Sequence, residues 1–271
     1  MVKVFICTPH ARAVSPAVTR HIWTMLSQPE LIGKHEFMFT EVDSFVVGKA
    51  RNMIVEATEE HNPDVLFWID DDILVAPGSH TLIDQALEKG IVSGLYVARN
   101  APYTPQMYRR AEGVSIEETY GERPVYWPVL EWEENTVIEV DSIGFGLVAI
   151  RWDIFEQMAI HHDAIFTEAA DHLELATLDG QKHAPPEFKP IANIVRHLSP
   201  WFEFLNAKGE DMYWCERAKE AGHRIWVDTS IQAGHISDTP LALDHFKYLR
   251  DNGMILQAED GEVTVLQEAQ P

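Results

Sequence analysis

Val65-Leu66-Phe67-Trp68-Ile69-Asp70-Asp71-Asp72 carries five apolar residues straight into three carboxylates. A short, unbroken apolar run is the pattern of a strand buried on both faces, as in a parallel sheet. Three acids in one turn repel one another, and a cation relieves that repulsion. Hard divalent ions such as Mg2+ and Mn2+ prefer oxygen ligands and commonly use one or two carboxylates plus substrate phosphates. Adjacent acids on a loop are often merely solvated. Here they follow a buried strand, at the end where ligands of open α/β sheets gather.

The flanking sequence has the rhythm of such a sheet. Val2–Cys7 reads as a strand ended by Thr8-Pro9, and Ser15 to Leu26 as a helix. Phe37–Val42 reads as a second strand, Lys49–Glu59 as a helix, His80–Lys89 as a helix closed by Gly90, and Ile91–Tyr96 as a fourth strand. Strands alternating with helices predict a parallel sheet covered by helices. Beyond residue 100 the pattern is mixed. Tyr126–Val140 alternates like an antiparallel pair, Ser142–Ile150 reads as one Gly-containing strand, and Asp153–Met158 as a helix. From His161 to Ser199 the periodicity fades into a long loop, whose five irregularly spaced histidines read as surface residues. Glu210–Ala221 is a helix with two acids in its first turn and Gly222 at its end, followed by a strand at Arg224–Val227.

Composition narrows the partners. The 271 residues include 21 Lys plus Arg against 43 Asp plus Glu, a formal net charge of −22. Such a surface repels phosphate backbones and anionic lipid headgroups, so neither nucleic acid nor an acidic membrane is expected as a partner. Eight glutamates between Glu112 and Glu139 read as a solvated face. Cys7 and Cys215, far apart and without CxxC spacing, indicate neither a disulfide framework nor a thiolate zinc site, which suits a reducing, cytoplasmic setting. The apolar run at the N-terminus is too short for a signal peptide, and no window is long and apolar enough for an integral membrane segment.

Several residues are candidates for chemistry. Arg51, in Gly48-Lys49-Ala50-Arg51-Asn52 near a helix start, suits a phosphate or nucleobase, or simply the surface. Glu210-Asp211 at a helix start suits dipole complementation. Alternatively, with Trp201, Phe202 and Phe204 upstream as the apolar floor of a sugar site, burial would raise a carboxylate toward general-base range. His235, just after Gly234, is by default an ordinary surface or core histidine.

Taken together, these residues resemble the GT-A glycosyltransferases, especially the family 2-like enzymes. Three blocks carry the resemblance: Ala50-Arg51-Asn52; Ile69-Asp70-Asp71-Asp72, at the place of the family's DxD turn; and Gly209-Glu210-Asp211 through Ala221-Gly222, running on to Gly234-His235-Ile236. The resemblance implies an α/β fold: a Rossmann-like, mostly parallel sheet with helices on both faces plus a mixed C-terminal acceptor half. It implies one domain over residues 1–271, with a nucleotide-binding half at 1–100, an acceptor and catalytic half at 101–236 and a C-terminal extension at 237–271. It further implies a nucleotide-sugar donor, UDP- or GDP-linked, and a glycan or other hydroxyl acceptor. Thr8, Pro9, Asp43, Arg51, Asn52, Asp70 and Asp71 would contact the donor. Gly144 and Gly146 sit where the family lets backbone approach the donor sugar, or else in an ordinary bulge. Asp70, Asp72 and His235 would hold Mn2+ or Mg2+, Trp201 and Phe202 would line the acceptor side, and Asp211, or Glu210, would be the base. Inverting and retaining outcomes both remain open, as do two other readings: a nucleotidyltransferase using the same carboxylate turn, and a non-catalytic nucleotide- or glycan-binding protein of the same fold.

Overall fold

In a computed structural model of the chain, the residues described are 1–11, 13–100, 103–118, 121–162, 201–204, 209–236, 246–247, 250–251, 255–257 and 263–265. The central sheet has seven strands: β1 (Val2–His10), β2 (His35–Asp43), β3 (Val65–Ile69), β5 (Ile91–Leu95), β8 (Val137–Val140), β10 (Leu147–Arg151) and β11 (Ile225–Gln232). Their order is β2-β1-β3-β10-β5-β11-β8. β2, β1, β3, β5 and β11 all run one way, while β10 lies antiparallel between β3 and β5, and β8 is antiparallel at the edge.

Alternation along each strand divides the core in two. Phe5, Cys7, Leu66, Trp68, Val148 and Ile150 face one side. There they meet α2 (Val47–Glu59), α4 (residues 153–162) and α5 (Glu210–Glu220) through Ile54, Phe155 and Trp214. Val4, Ile6, Val65, Phe67, Leu147 and Ala149 face the other, against α1 (Pro16–Leu26) and α3 (Thr81–Lys89) through Val18, Ile22, Leu82 and Ile83. Helices on both faces of a mostly parallel sheet make this the α/β class expected from the sequence. Local signals place the ends: the Ser15 hydroxyl accepts from Ala17 N–H at the start of α1, and Gly90 closes α3 at φ 91°.

The second half departs from the expected strands. Tyr126–Val140 is not a hairpin. Its first part belongs to β7 (Gly121–Pro128), paired with β6 (Met107–Glu118), and its last part is β8, paired with β11. Alternation specifies a half-buried strand but not its partner. Ser142–Ile150 splits into β9 (Ser142–Ile143), which pairs with β6, and β10 in the central sheet. The expected loop from His161 to Ser199 lies outside the described residues beyond residue 162. Two short strands, β4 (Ile73–Leu74) and β12 (Gly234–His235), pair across the carboxyl edge of the sheet. From the C-terminal extension, the buried Phe246 stacks on Trp132 with ring centroids 6.0 Å apart. Among the described residues no helix is long and apolar enough to cross a membrane.

Candidate active site

The site forms where β3, β5 and β11 end at the same edge. Asp70, Asp71 and Asp72 follow β3 in a turn closed by Ile73 N–H donating to the Asp70 carbonyl at 3.1 Å. Cys7 pairs with Trp68, so Thr8 and Pro9 emerge beside the Asp70 end of β3, and the β1–β2 ladder runs out to His10 opposite the exposed Asp43.

His235 reaches Asp72 from the far end of the chain. After β11, the N–H of Ala233 donates to the Leu95 carbonyl at 2.9 Å, and β12 then lies on β4 with His235 opposite Ile73. Ile236 N–H donates to the Asp72 carbonyl at 2.7 Å, and His235 Nε2 lies 3.1 Å from Asp72 Oδ2. His235 Nδ1 is 2.9 Å from the Val97 carbonyl. A carbonyl only accepts, so Nδ1 carries the hydrogen, and in the neutral ring Nε2 turns a lone pair toward the carboxylate. Burial holds His235 below the usual imidazole range; the Val97 bond opposes this, and Arg99 adds to it. A lone pair facing a carboxylate is a pair of donors suited to a shared cation.

On the other side, Arg51 is buried at 2% exposure, inside an aromatic cage whose nearest ring, Phe145, is 5.2 Å from its guanidinium carbon. Its Nη2 donates to both Asp70 oxygens at 2.9 and 3.0 Å, and its Nε lies 3.6 Å from Glu210 Oε1. Arg51 is therefore a strut between the end of β3 and the start of α5, a different setting from the nucleotide contact expected. Asn52 also turns inward. Its amide donates to the Phe202 carbonyl at 2.8 Å and accepts from Phe202 N–H at 3.0 Å. Phe202 is sealed among Trp68, Phe145 and Trp214, so its ring cannot be an acceptor floor; Trp201 is half-buried and Phe204 exposed.

The acids at the start of α5 differ. Glu210 is buried and faces Arg51, while Asp211 folds over its own helix start and accepts from Met212 N–H at 2.7 Å. Burial, with Glu210 adding and Arg51 opposing, pushes Asp211 up to about 6. Asp70 is also pushed up to about 6, by burial first, with Arg51 opposing and Glu210, Asp71 and Asp211 adding.

Gly144 and Gly146 lead into β10 between the ends of β3 and β5. Gly146 N–H donates to the Tyr96 hydroxyl at 2.8 Å, and its carbonyl accepts from Asp70 N–H at 3.0 Å. A Cβ on Gly146 would sit 2.8 Å from that hydroxyl, and one on Gly144 would strike it too. The space these glycines leave is filled by a tyrosine, not kept open for a sugar. Tyr96, Gln106 and Tyr108, whose hydroxyl donates to Gln106 at 3.1 Å, form a polar layer by the acids that the sequence did not single out. Arg99, ion-paired with Asp72, was also missed. Its one legible signal was its position just past a parallel strand.

Among the described residues no three His, Cys, Asp or Glu side chains stand ready around one point. Asp70 is drawn to Arg51 and Asp72 to Arg99. The donor set still suits a hard divalent ion, because Asp72 and His235 already converge and Asp70 follows in the same turn.

No protein-family model and no curated protein matches the chain. Among solved structures it is similar to A197 from STIV, at 15% identity and TM-score 0.47, over 100% of this chain and 97% of that one. It is similar to GalNAc-T7, solved with UDP, GalNAc and Mn2+, at 11% identity and TM-score 0.47, over 87% of this chain and 44% of that one. A glycosyltransferase involved in the glycosylation of the major capsid of PBCV-1 aligns at 13% identity and TM-score 0.31, over 90% of this chain and 98% of that one. Likenesses of this size carry no chemistry from those proteins to this one.

Proposed function

We propose that the chain is a divalent-metal-dependent glycosyltransferase of the GT-A type, moving a sugar from a UDP- or GDP-sugar to a hydroxyl acceptor such as a glycan. The observation that carries this reading is the meeting of Asp72 and His235, lone pair to carboxylate at 3.1 Å, on the same sheet edge as the Asp70–Arg51–Glu210 chain and Asp211. Asp70, Asp72 and His235 would hold Mn2+ or Mg2+, whose charge would offset that of the departing nucleoside diphosphate. Thr8, Pro9, Asp43 and Asp71 line the edge along which the nucleotide would lie. Trp201, half-buried with its ring against Phe155 and the Arg217 guanidinium, would border the acceptor side.

Asp211 takes the proton of the acceptor hydroxyl as the oxygen attacks the sugar's C1 and the bond to the diphosphate breaks. Raised to about 6, it is mostly ionised at neutral pH yet a stronger base than a solvated aspartate. Glu210 is tied to Arg51 and positions the helix start. Two buried, free cysteines suit a reducing cytoplasm.

A panel of UDP-, GDP- and other nucleotide-sugars, assayed for hydrolysis and thermal stabilisation, tests the reading. One donor is expected to raise Tm with Mn2+ and not with EDTA, and to be hydrolysed slowly. Turnover only of a nucleoside triphosphate with a sugar phosphate would replace it with nucleotidyl transfer.

A further inference from the structure

One oxygen of Asp72, Oδ2, meets both His235 Nε2 and the guanidinium of Arg99. His235 spends its ring hydrogen on the Val97 carbonyl, so as a neutral ring it brings no positive charge. Among the described residues, Arg99 is the permanent cation paired with Asp72. It stands on a tied turn after β5: Val97 bridges Pro105, Ala98 N–H donates to the Thr104 carbonyl at 2.8 Å, and Tyr103 N–H donates to the Asn100 carbonyl at 2.8 Å. Its side chain is 52% exposed against 17% for Asp72, so the guanidinium has solvent to move into when another cation takes the carboxylate.

We propose that Arg99 is a placeholder for the divalent ion that becomes a ligand of the donor's diphosphate once the ion arrives. This rests on the metal site proposed above. At Asp72 Oδ2 a dication competes with the guanidinium for the oxygen's lone pairs and repels it as a like charge, so the ion displaces Arg99. The turn keeps the freed fork beside the ion, where a diphosphate bound to that ion must lie, and a guanidinium matches phosphate oxygens in charge and geometry. Without ligand, Arg99 quiets the repulsion within Asp70-Asp71-Asp72. With ligand, ion binding releases a phosphate-binding group, so ion and diphosphate support each other.

The test uses the whole chain and two probes, Mn2+ alone, followed by loss of its free-ion paramagnetic resonance signal, and Mn2+-pyrophosphate, followed by calorimetry. Arg99→Ala is expected to bind Mn2+ alone at least about threefold more tightly than wild type and Mn2+-pyrophosphate at least about threefold more weakly, with Arg99→Lys between. In an Asp72→Asn background the Arg99→Ala effect on Mn2+ should vanish, because both changes act on one contact. Asp72-dependent Mn2+ binding that Arg99→Ala leaves unchanged or weakens would overturn the placeholder while sparing the metal site. Unchanged pyrophosphate binding would overturn the diphosphate role. Mn2+ binding that is absent in wild type, or indifferent to Asp72→Asn, would remove the metal site and the placeholder with it.

Discussion

Glu210 and Asp211 are neighbours in sequence, but one is buried against Arg51 and the other folds over its helix start. That difference is why Asp211, not Glu210, is the base in the proposed function. Asp211→Asn is expected to lower turnover by about 10^2- to 10^4-fold, with the Kd of the Mn2+-nucleotide within about twofold, since a general base acts on the acceptor and not on donor binding. Wild-type kcat/KM should rise with pH along a limb near 6 as Asp211 ionises. Stability follows the opposite sign. A folded pKa above the unfolded value favours the fold below about pH 4, and that contribution is lost as the pH rises to about 6. Denaturant titration should show the wild type losing roughly 2–3 kcal/mol relative to Asp211→Asn across that window. A constant difference would place Asp211 in ordinary solvent. The acids and Arg51 could be picked out as residue types. That Arg51 would be buried between two of them could not, because burial is set by the rings of Trp68, Phe145 and Phe202, distant in sequence.

Elements were easiest to read where burial is symmetric. Val65–Ile69 stands as expected because a strand covered on both faces is apolar throughout, and Glu210–Glu220 because its acids and Gly222 mark its ends. Ser142–Ile150 misled because what breaks it is Tyr96, almost fifty residues away, lying against Gly144 and Gly146. Gly146→Ala puts a methyl 2.8 Å from the phenol and should cost about 1–3 kcal/mol in denaturant midpoint and slope analysis. Tyr96→Leu in that background should recover part of the loss by vacating the space. A Gly146→Ala protein as stable as wild type would mean that the phenol does not hold these glycines. The pairing of β6 with β7 was hidden for a related reason, since alternation names a face and leaves the partner to tertiary contact.

Across the whole molecule, the parallel strands β3 and β11 end at one edge, and so bring residues far apart in sequence, Asp72 and His235, to one turn. Nothing local in Gly234-His235 announces a partnership with Asp72, and only the resemblance in order and spacing suggested it. In the structure the β4–β12 ladder places the two side chains together. His235→Ala and Asp72→Ala should each weaken Mn2+-dependent nucleotide binding, and the double variant should lose much less than the sum, because both act on one ion. Additive losses would separate them. The net charge of −22 adds long-range repulsion to any anionic donor, which makes a bound cation the natural bridge. Calorimetry of the best-binding nucleoside diphosphate, with Mn2+ and again with EDTA, tests that bridge most directly. Binding with Mn2+ and at least about tenfold loss of affinity with EDTA is expected; equal affinity in the two would contradict a metal-bridged donor site at Asp70, Asp72 and His235.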